Sequence, residues 1–197
     1  RLIRVRGAEL RAGGIGGVLT HPEYRGRGYA RALMRDTERY MLEAGYDLGL
    51  LFTIIGTPFY QALEWTEIPL PTFEVAVGSG GSGKGEGIRS LEIDQDLDAV
   101  AEIFGLNTEG MSGPEVRRDG YWSWGPSRYR GVFPQWGVER DGKLAAYVNF
   151  KAEADRLWVR EACALPGYEA ACGGLALLIL DKAREHGLTT VAGSLPS

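Results

Sequence analysis

The chain has 197 residues, enough for one large domain or two small ones with a real core. Its content of 44% hydrophobic and 24% charged residues excludes a disordered or collagen-like chain, and no apolar run approaches the roughly 18 residues of a membrane span. A net charge of -4, from 22 basic against 26 acidic residues, argues against broad binding to a nucleic-acid backbone and toward neutral or cationic substrates.

The opening Arg1-Leu2-Ile3-Arg4-Val5-Arg6 alternates charge and apolar side chains, unlike a signal peptide, so a cytoplasmic protein that does not engage membranes is expected. Glu9 to Thr20 reads as a Gly-rich strand ending in Gly17-Val18-Leu19-Thr20, followed by the turn His21-Pro22-Glu23-Tyr24. Ala30, Leu33, Met34, Thr37, Met41 and Ala44 then recur at helical spacing, with Gly45 where a C-terminal cap belongs. Leu48 to Ile55 is an apolar run of strand length. Thr57-Pro58 supplies an N-cap and a proline at the first helical position for a short helix through Leu63. Thr72 to Val77 is expected to close the first sheet, so the order predicts an α/β unit over residues 1–77.

Residues 78–87 are almost entirely Gly and Ser and read as a flexible linker. Beyond it, over residues 88–197, the pattern predicts a strand at Ile88–Ile93 and a helix at Leu97–Phe104. A hairpin follows, Trp136–Glu139 with Leu144–Phe150 around Asp141-Gly142. Next come a strand at Leu157–Leu165, a helix at Gly173–His186 and a strand from Leu188. Pro22, Tyr24 and Leu33 recur as Pro166, Tyr168 and Leu177, a constant offset that superposes the two long helices. On that offset the first unit would begin about 56 residues before Arg1 and the second would lack about two dozen residues, so both units read as incomplete. Cys163 and Cys172 fit neither a metal nor a redox spacing and read as buried free thiols, and two histidines do not build a zinc site, so no metal is expected.

The chemistry concentrates in Arg25-Gly26-Arg27-Gly28-Tyr29-Ala30, between a strand and the first turn of a strong helix. Backbone N–H groups there lack intrahelical partners, two glycines let an anion approach the main chain, and the helix dipole favours it. The glycine spacing is neither the dinucleotide fingerprint nor a Walker loop. Arg35 and Arg39 read as a solvated helix face beside Asp36, Glu38 and Glu43.

Val18-Leu19-Thr20, Pro22 and Arg25-x-x-Gly28-x-Ala30 together resemble the acetyl-CoA motif of the GNAT N-acetyltransferase superfamily, Arg/Gln-x-x-Gly-x-Gly/Ala. The resemblance implies the GNAT fold, a mixed twisted sheet flanked by helices, here as two tandem units. It also implies acetyl-CoA as cosubstrate. Val18, Leu19 and Thr20 would meet the pantetheine arm, and Arg25, Gly26, Arg27, Gly28, Tyr29, Ala30 and Arg31 would surround the diphosphate. Phe59-Tyr60-Gln61-Ala62-Leu63-Glu64-Trp65 resembles the family's Phe/Ile-Tyr-x-x-x-Gly-Phe segment, with Glu64 for Gly and Trp65 for Phe. The resemblance makes Tyr60 the acid that protonates the departing thiolate, a task suited to a phenol. The bland alternative for Tyr60 is a core aromatic. Glu9, His21 and Glu67 are candidate bases by composition only, and the base is left unassigned.

At the repeat offset Arg25, Gly28 and Ala30 correspond to Glu169, Cys172 and Gly174, so the second unit is expected to be a degenerate, non-catalytic GNAT-like domain. Gly110, Arg117, Arg118, Tyr121 and Trp122 resemble the second domain of the enhanced intracellular survival (Eis) type acetyltransferases. Those enzymes acetylate amines of aminoglycosides and lysines, which implies a small-molecule amine or lysine side chain as acceptor and a homo-oligomer. A catalytically silent CoA-binding or oligomerisation module is the alternative.

Overall fold

A computed structural model describes residues 1–54, 56–79, 85–117 and 136–194. The chain divides into two compact units, Arg1–Pro69 with Met111–Val116, and Leu70–Gly110 with Arg117–Ser197. Residues 80–84 of the Gly/Ser run, Ile55, Arg118, Tyr121 and Trp122 lie outside the described residues.

In the first unit β1 (Leu2–Val5) and β2 (Ala8–Ile15) form an antiparallel hairpin. Its turn residues Arg6 and Gly7 sit at φ 49° and 81°, both left-handed, as a two-residue type I′ turn requires. No strand is expected from the sequence at Leu2–Val5. Met111–Val116 adds to this hairpin from far along the chain: Ile3 bridges Glu115, the Arg4 N–H donates to the Pro114 carbonyl, and the Val116 N–H donates to the Leu2 carbonyl. The helix α1 (Tyr29–Glu43) then carries the chain back to β3 (Leu48–Leu51), which pairs parallel to β2 from Ala12↔Leu48 to Ile15↔Leu51.

Both expected strands of this pair are shorter than their apolar runs. Regular pairing stops at Ile15 and Leu51, where the sequence predicted strands to Thr20 and Ile55, and Gly17 at φ 67° breaks the pleat. Beyond it, α2 (Pro58–Gln61) follows Thr57, with Pro58 at the first helical position as expected. Met34, Tyr60 and Leu63 form the small buried core of this unit, with Ile15, Val18, Leu51, Phe59 and Trp65 packed around them.

The second unit is a six-stranded sheet in the order β4 (Thr72–Ala76), β9 (Thr190–Ser194), β8 (Leu157–Ala164), β7 (Lys143–Ala152), β6 (Trp136–Arg140), β5 (Ile88–Ser90). All neighbours are antiparallel except β8 and β9. The strand at Thr72–Ala76 was expected to close the first sheet. It pairs instead with β9, from Thr72↔Ser194 to Ala76↔Thr190, because a five-residue strand carries no information about which sheet edge it completes.

Helices α3 (Ile93–Thr108) and α4 (Ala171–Glu185) serve separate apolar clusters, a consequence of strand alternation. Ala146, Val148 and Phe150 of β7 join Leu175, Leu178 and Ile179 of α4, while Tyr147 joins Val100, Ile103 and Phe104 of α3. The β6–β7 hairpin turns at Asp141 (φ 52°) and Gly142 (φ 75°), as the Asp-Gly pair predicts. Among the described residues, one helix packs against each face of this sheet.

Candidate functional site

Helix α1 begins at a loop built to leave its amides open. Gly26 (φ 74°) and Gly28 (φ 81°) are both left-handed, and a Cβ at either would meet nothing within 4 Å. Gly28 is the N-cap and makes no side-chain capping bond, and the first turn holds no acidic residue. The first intrahelical bond runs from the Ala32 N–H to the Gly28 carbonyl at 3.0 Å. Among the described residues, the N–H groups of Tyr29, Ala30 and Arg31 have no carbonyl partner. Aligned and unneutralised, they constitute a partial positive charge beside an open loop.

Arg25 is turned back onto the segment that follows β2, its Nε donating to the Thr20 carbonyl at 3.1 Å. That bond ties Thr20 to the glycine loop. The Arg27 guanidinium lies 5.4 Å from the Tyr24 ring centroid, and Arg31 is exposed on the first turn. Val18 packs against the Met34 cluster, Leu19 is 89% exposed, Tyr29 is exposed and Ala30 half-buried. Val18 to Thr20 lie beyond Ile15, where parallel pairing with β3 ends, and have no ladder partner among the described residues.

Tyr60 is only 8% exposed, packed with Met34 and Leu63 and edge-on to Phe59 at a centroid distance of 5.0 Å. Of the candidate bases, Glu9 lies 3.9 Å from Arg4 across the hairpin, the His21 Nδ1 is 4.0 Å from the Glu23 carboxylate, and Glu67 is exposed. Arg39 pairs with Asp36 and Arg35 is exposed, in line with a solvated helix face. Sequence reasoning missed the bond from the Trp65 indole N–H to Glu38 at 2.6 Å; Glu64 in place of the expected glycine was the signal available.

The start of α4 contrasts with that of α1. The N–H groups of Ala171, Cys172 and Gly173 donate to the carbonyls of Tyr168, Glu169 and Ala170 at 2.8, 3.1 and 3.1 Å. The Glu169 carboxylate accepts the Gly167 N–H at 3.0 Å, and backbone hydrogen bonds hold it below the usual carboxylate range. Gly85 also approaches closely: a Cβ there would lie 3.2 Å from Gly174 Cα. Elsewhere in this unit Arg117 pairs with Glu161, which also accepts the Tyr147 hydroxyl at 2.8 Å, and the Arg117 guanidinium lies 3.7 Å from the Phe104 ring centroid. Both cysteines are free, Cys163 buried and Cys172 only half-buried, and burial pushes the Cys163 thiol up to about 12.

Residues 1–68 match the family model described as an acetyltransferase (GNAT) domain. The matched residues fall within the first unit. No curated protein matches the chain. Among solved structures, a GCN5-related N-acetyltransferase from Kribbella flavida is 21% identical with a TM-score of 0.67, over 98% of this chain and 47% of that one. A probable N-acyltransferase from Enterococcus faecalis is 18% identical with a TM-score of 0.71, over 98% and 49%. Eis1 from Mycobacterium abscessus is 15% identical with a TM-score of 0.62, over 99% and 51%. These likenesses establish a mixed α/β GNAT fold, and the chain spans about half the length of each of these structures. Among the described residues no helix is long and apolar enough to cross a membrane.

Proposed function

We propose that the chain is the part of a cytoplasmic, Eis-like tandem GNAT enzyme that holds acetyl-CoA and transfers its acetyl group to a primary amine of aminoglycoside or lysine type. The observation that carries this reading is the start of α1, where three unpartnered N–H groups stand behind two left-handed glycines with open space at both. A diphosphate supplies the oxygens those donors lack. Arg25, anchored on Thr20, would fix the loop against the strand end, and Arg27 and Arg31 would add charge.

Acetyl-CoA supplies the thioester, and the stretch Val18 to Thr20, outside the strand ladder, would offer main-chain groups to its pantetheine amides. In the reaction the amine nitrogen forms the new C–N bond as the C–S bond breaks. Tyr60 donates its phenolic proton to the leaving sulfur, and the proton shed by the amine restores it through water. The second unit, on this reading, is a GNAT-like domain without a cosubstrate site, and the assembly is a homo-oligomer.

The burial of Tyr60 supports a second reading, in which the tyrosine is core and the chain binds CoA without turnover. Tyr60→Phe separates the two, since it deletes only the hydroxyl. As the acid, Tyr60 is worth about 100-fold in kcat, with CoA affinity essentially unchanged. Wild-type kcat in Tyr60→Phe would remove it from the mechanism, and CoA binding without thiol release on any amine would establish the silent module.

A further inference from the structure

Tyr60 rides on a helix of four residues, far too short to hold itself in place. The turn that ends it carries the paired bonds of a Schellman motif: the Glu64 N–H donates to the Gln61 carbonyl at 3.0 Å and the Trp65 N–H to the Tyr60 carbonyl at 3.1 Å. Helix α1 ends in the same pair of bonds, from Gly45 to Leu42 and from Tyr46 to Met41. There the left-handed position belongs to Gly45 at φ 72°, whereas in the Tyr60 turn it belongs to Glu64 at φ 67°. A side chain in that region costs free energy that glycine does not, so something outside the turn must hold it.

Trp65 is placed to do so. Its indole N–H donates to the Glu38 carboxylate on α1 at 2.6 Å. Its ring lies against β3 so closely that a Cβ at Gly49 would come within 2.7 Å of Cη2. The same residue whose backbone N–H closes on the Tyr60 carbonyl is thus pinned to a helix and a strand at once.

We propose that Trp65 and Glu38 form a latch that positions Tyr60, by locking the strained turn behind it onto α1. The latch rests on the reading of Tyr60 as the general acid, because it acts through that side chain and touches no reacting atom. It accounts for tryptophan at a position where the family pattern has phenylalanine: only the indole offers a donor for Glu38.

The test compares Trp65→Phe, Glu38→Leu and Glu38→Gln in the intact chain, by amide hydrogen exchange and by thiol release from acetyl-CoA with kanamycin or a lysine peptide as acceptor. Trp65→Phe and Glu38→Leu should speed exchange at Leu63 to Trp65 by about tenfold, with the middle of α1 unchanged. They should lower kcat by about tenfold and leave the KM for acetyl-CoA within about twofold. Glu38→Gln still accepts the indole N–H and should restore both. In a Tyr60→Phe background Glu38→Leu should cost nothing further in kcat, since the latch acts through the missing hydroxyl. Should Trp65→Phe fail to fold, the two Glu38 variants keep the ring and decide the question.

Unchanged exchange in Glu38→Leu, or a Glu38→Gln protein as impaired as Glu38→Leu, overturns the latch while a slow Tyr60→Phe protein leaves the general acid standing. A Tyr60→Phe protein with full kcat overturns the acid, and the positioning role with it.

Discussion

Helices α1 and α4 each follow a strand and a turn containing a proline and a tyrosine, yet they begin in opposite electrical states. At α1 the left-handed Gly28 ends the loop abruptly, and among the described residues the N–H groups of Tyr29, Ala30 and Arg31 have no carbonyl partner. At α4 the chain winds into the helix through Tyr168, Glu169 and Ala170, whose carbonyls consume the corresponding donors, and Glu169 adds a carboxylate. The difference teaches that an anion site at a helix start depends on the residue before the first turn: glycine in the left-handed region leaves donors free, and a residue already helical does not.

The largest way to break this contrast is Gly28→Glu. The substitution forces a side chain into φ 81° and brings a carboxylate to the open amides, so CoA affinity should fall on the order of 100-fold, about 2.7 kcal/mol, in titration calorimetry. Unchanged affinity in the folded variant would remove the loop from the binding site.

A test of the other kind asks whether α3 of the second unit is stabilised by its own helix-start carboxylate. Asp96, 5% exposed, accepts Arg89 through both oxygens and the Glu92 N–H at 2.8 Å. The Arg89 guanidinium, then the backbone bond, holds its carboxyl below the ordinary value against the opposing effect of burial. A depressed folded-state value means that the stabilisation is full above the unfolded carboxyl range and is lost as pH falls through the folded value. Asp96→Asn should therefore cost about 2 kcal/mol at neutral pH, less whatever the partly exposed Arg89 loses to solvent screening, and the cost should shrink on acidification below about pH 4. A variant whose deficit is the same at pH 7 and pH 3, by denaturant titration, would contradict this.

Smaller in magnitude, Glu64→Gly should raise stability by about 1 kcal/mol, because glycine occupies φ 67° without strain. A lower midpoint in denaturant would show that the glutamate makes a compensating contact. The smallest effect belongs to Glu169→Ala, which frees one N–H at Gly167 but leaves the other donors of α4 satisfied, so it should create no second CoA site.

The glycine loop and the start of α1 were legible in the sequence because their determinants are local: two glycines at positive φ and a helix whose period is set by Met34 and its neighbours. Strand ends were not: Val18 to Thr20 and Phe52 to Ile54 are apolar enough for a strand, yet among the described residues the ladder stops at Ile15 and Leu51. The destination of Thr72–Ala76 and the return of Met111–Val116 to the first hairpin depend on long-range pairing that no local pattern encodes. The Glu38–Trp65 bond joins residues 27 positions apart, and only the misplaced Glu64 hinted that the turn needed support.

The central claim is that the chain holds one CoA, at the start of α1. Calorimetric titration of CoA into the intact chain and its Gly28→Glu variant tests it most directly. The account predicts one site per chain in the parent and binding about 100-fold weaker in the variant; two sites in the parent, or one that survives Gly28→Glu with its affinity intact, would contradict it.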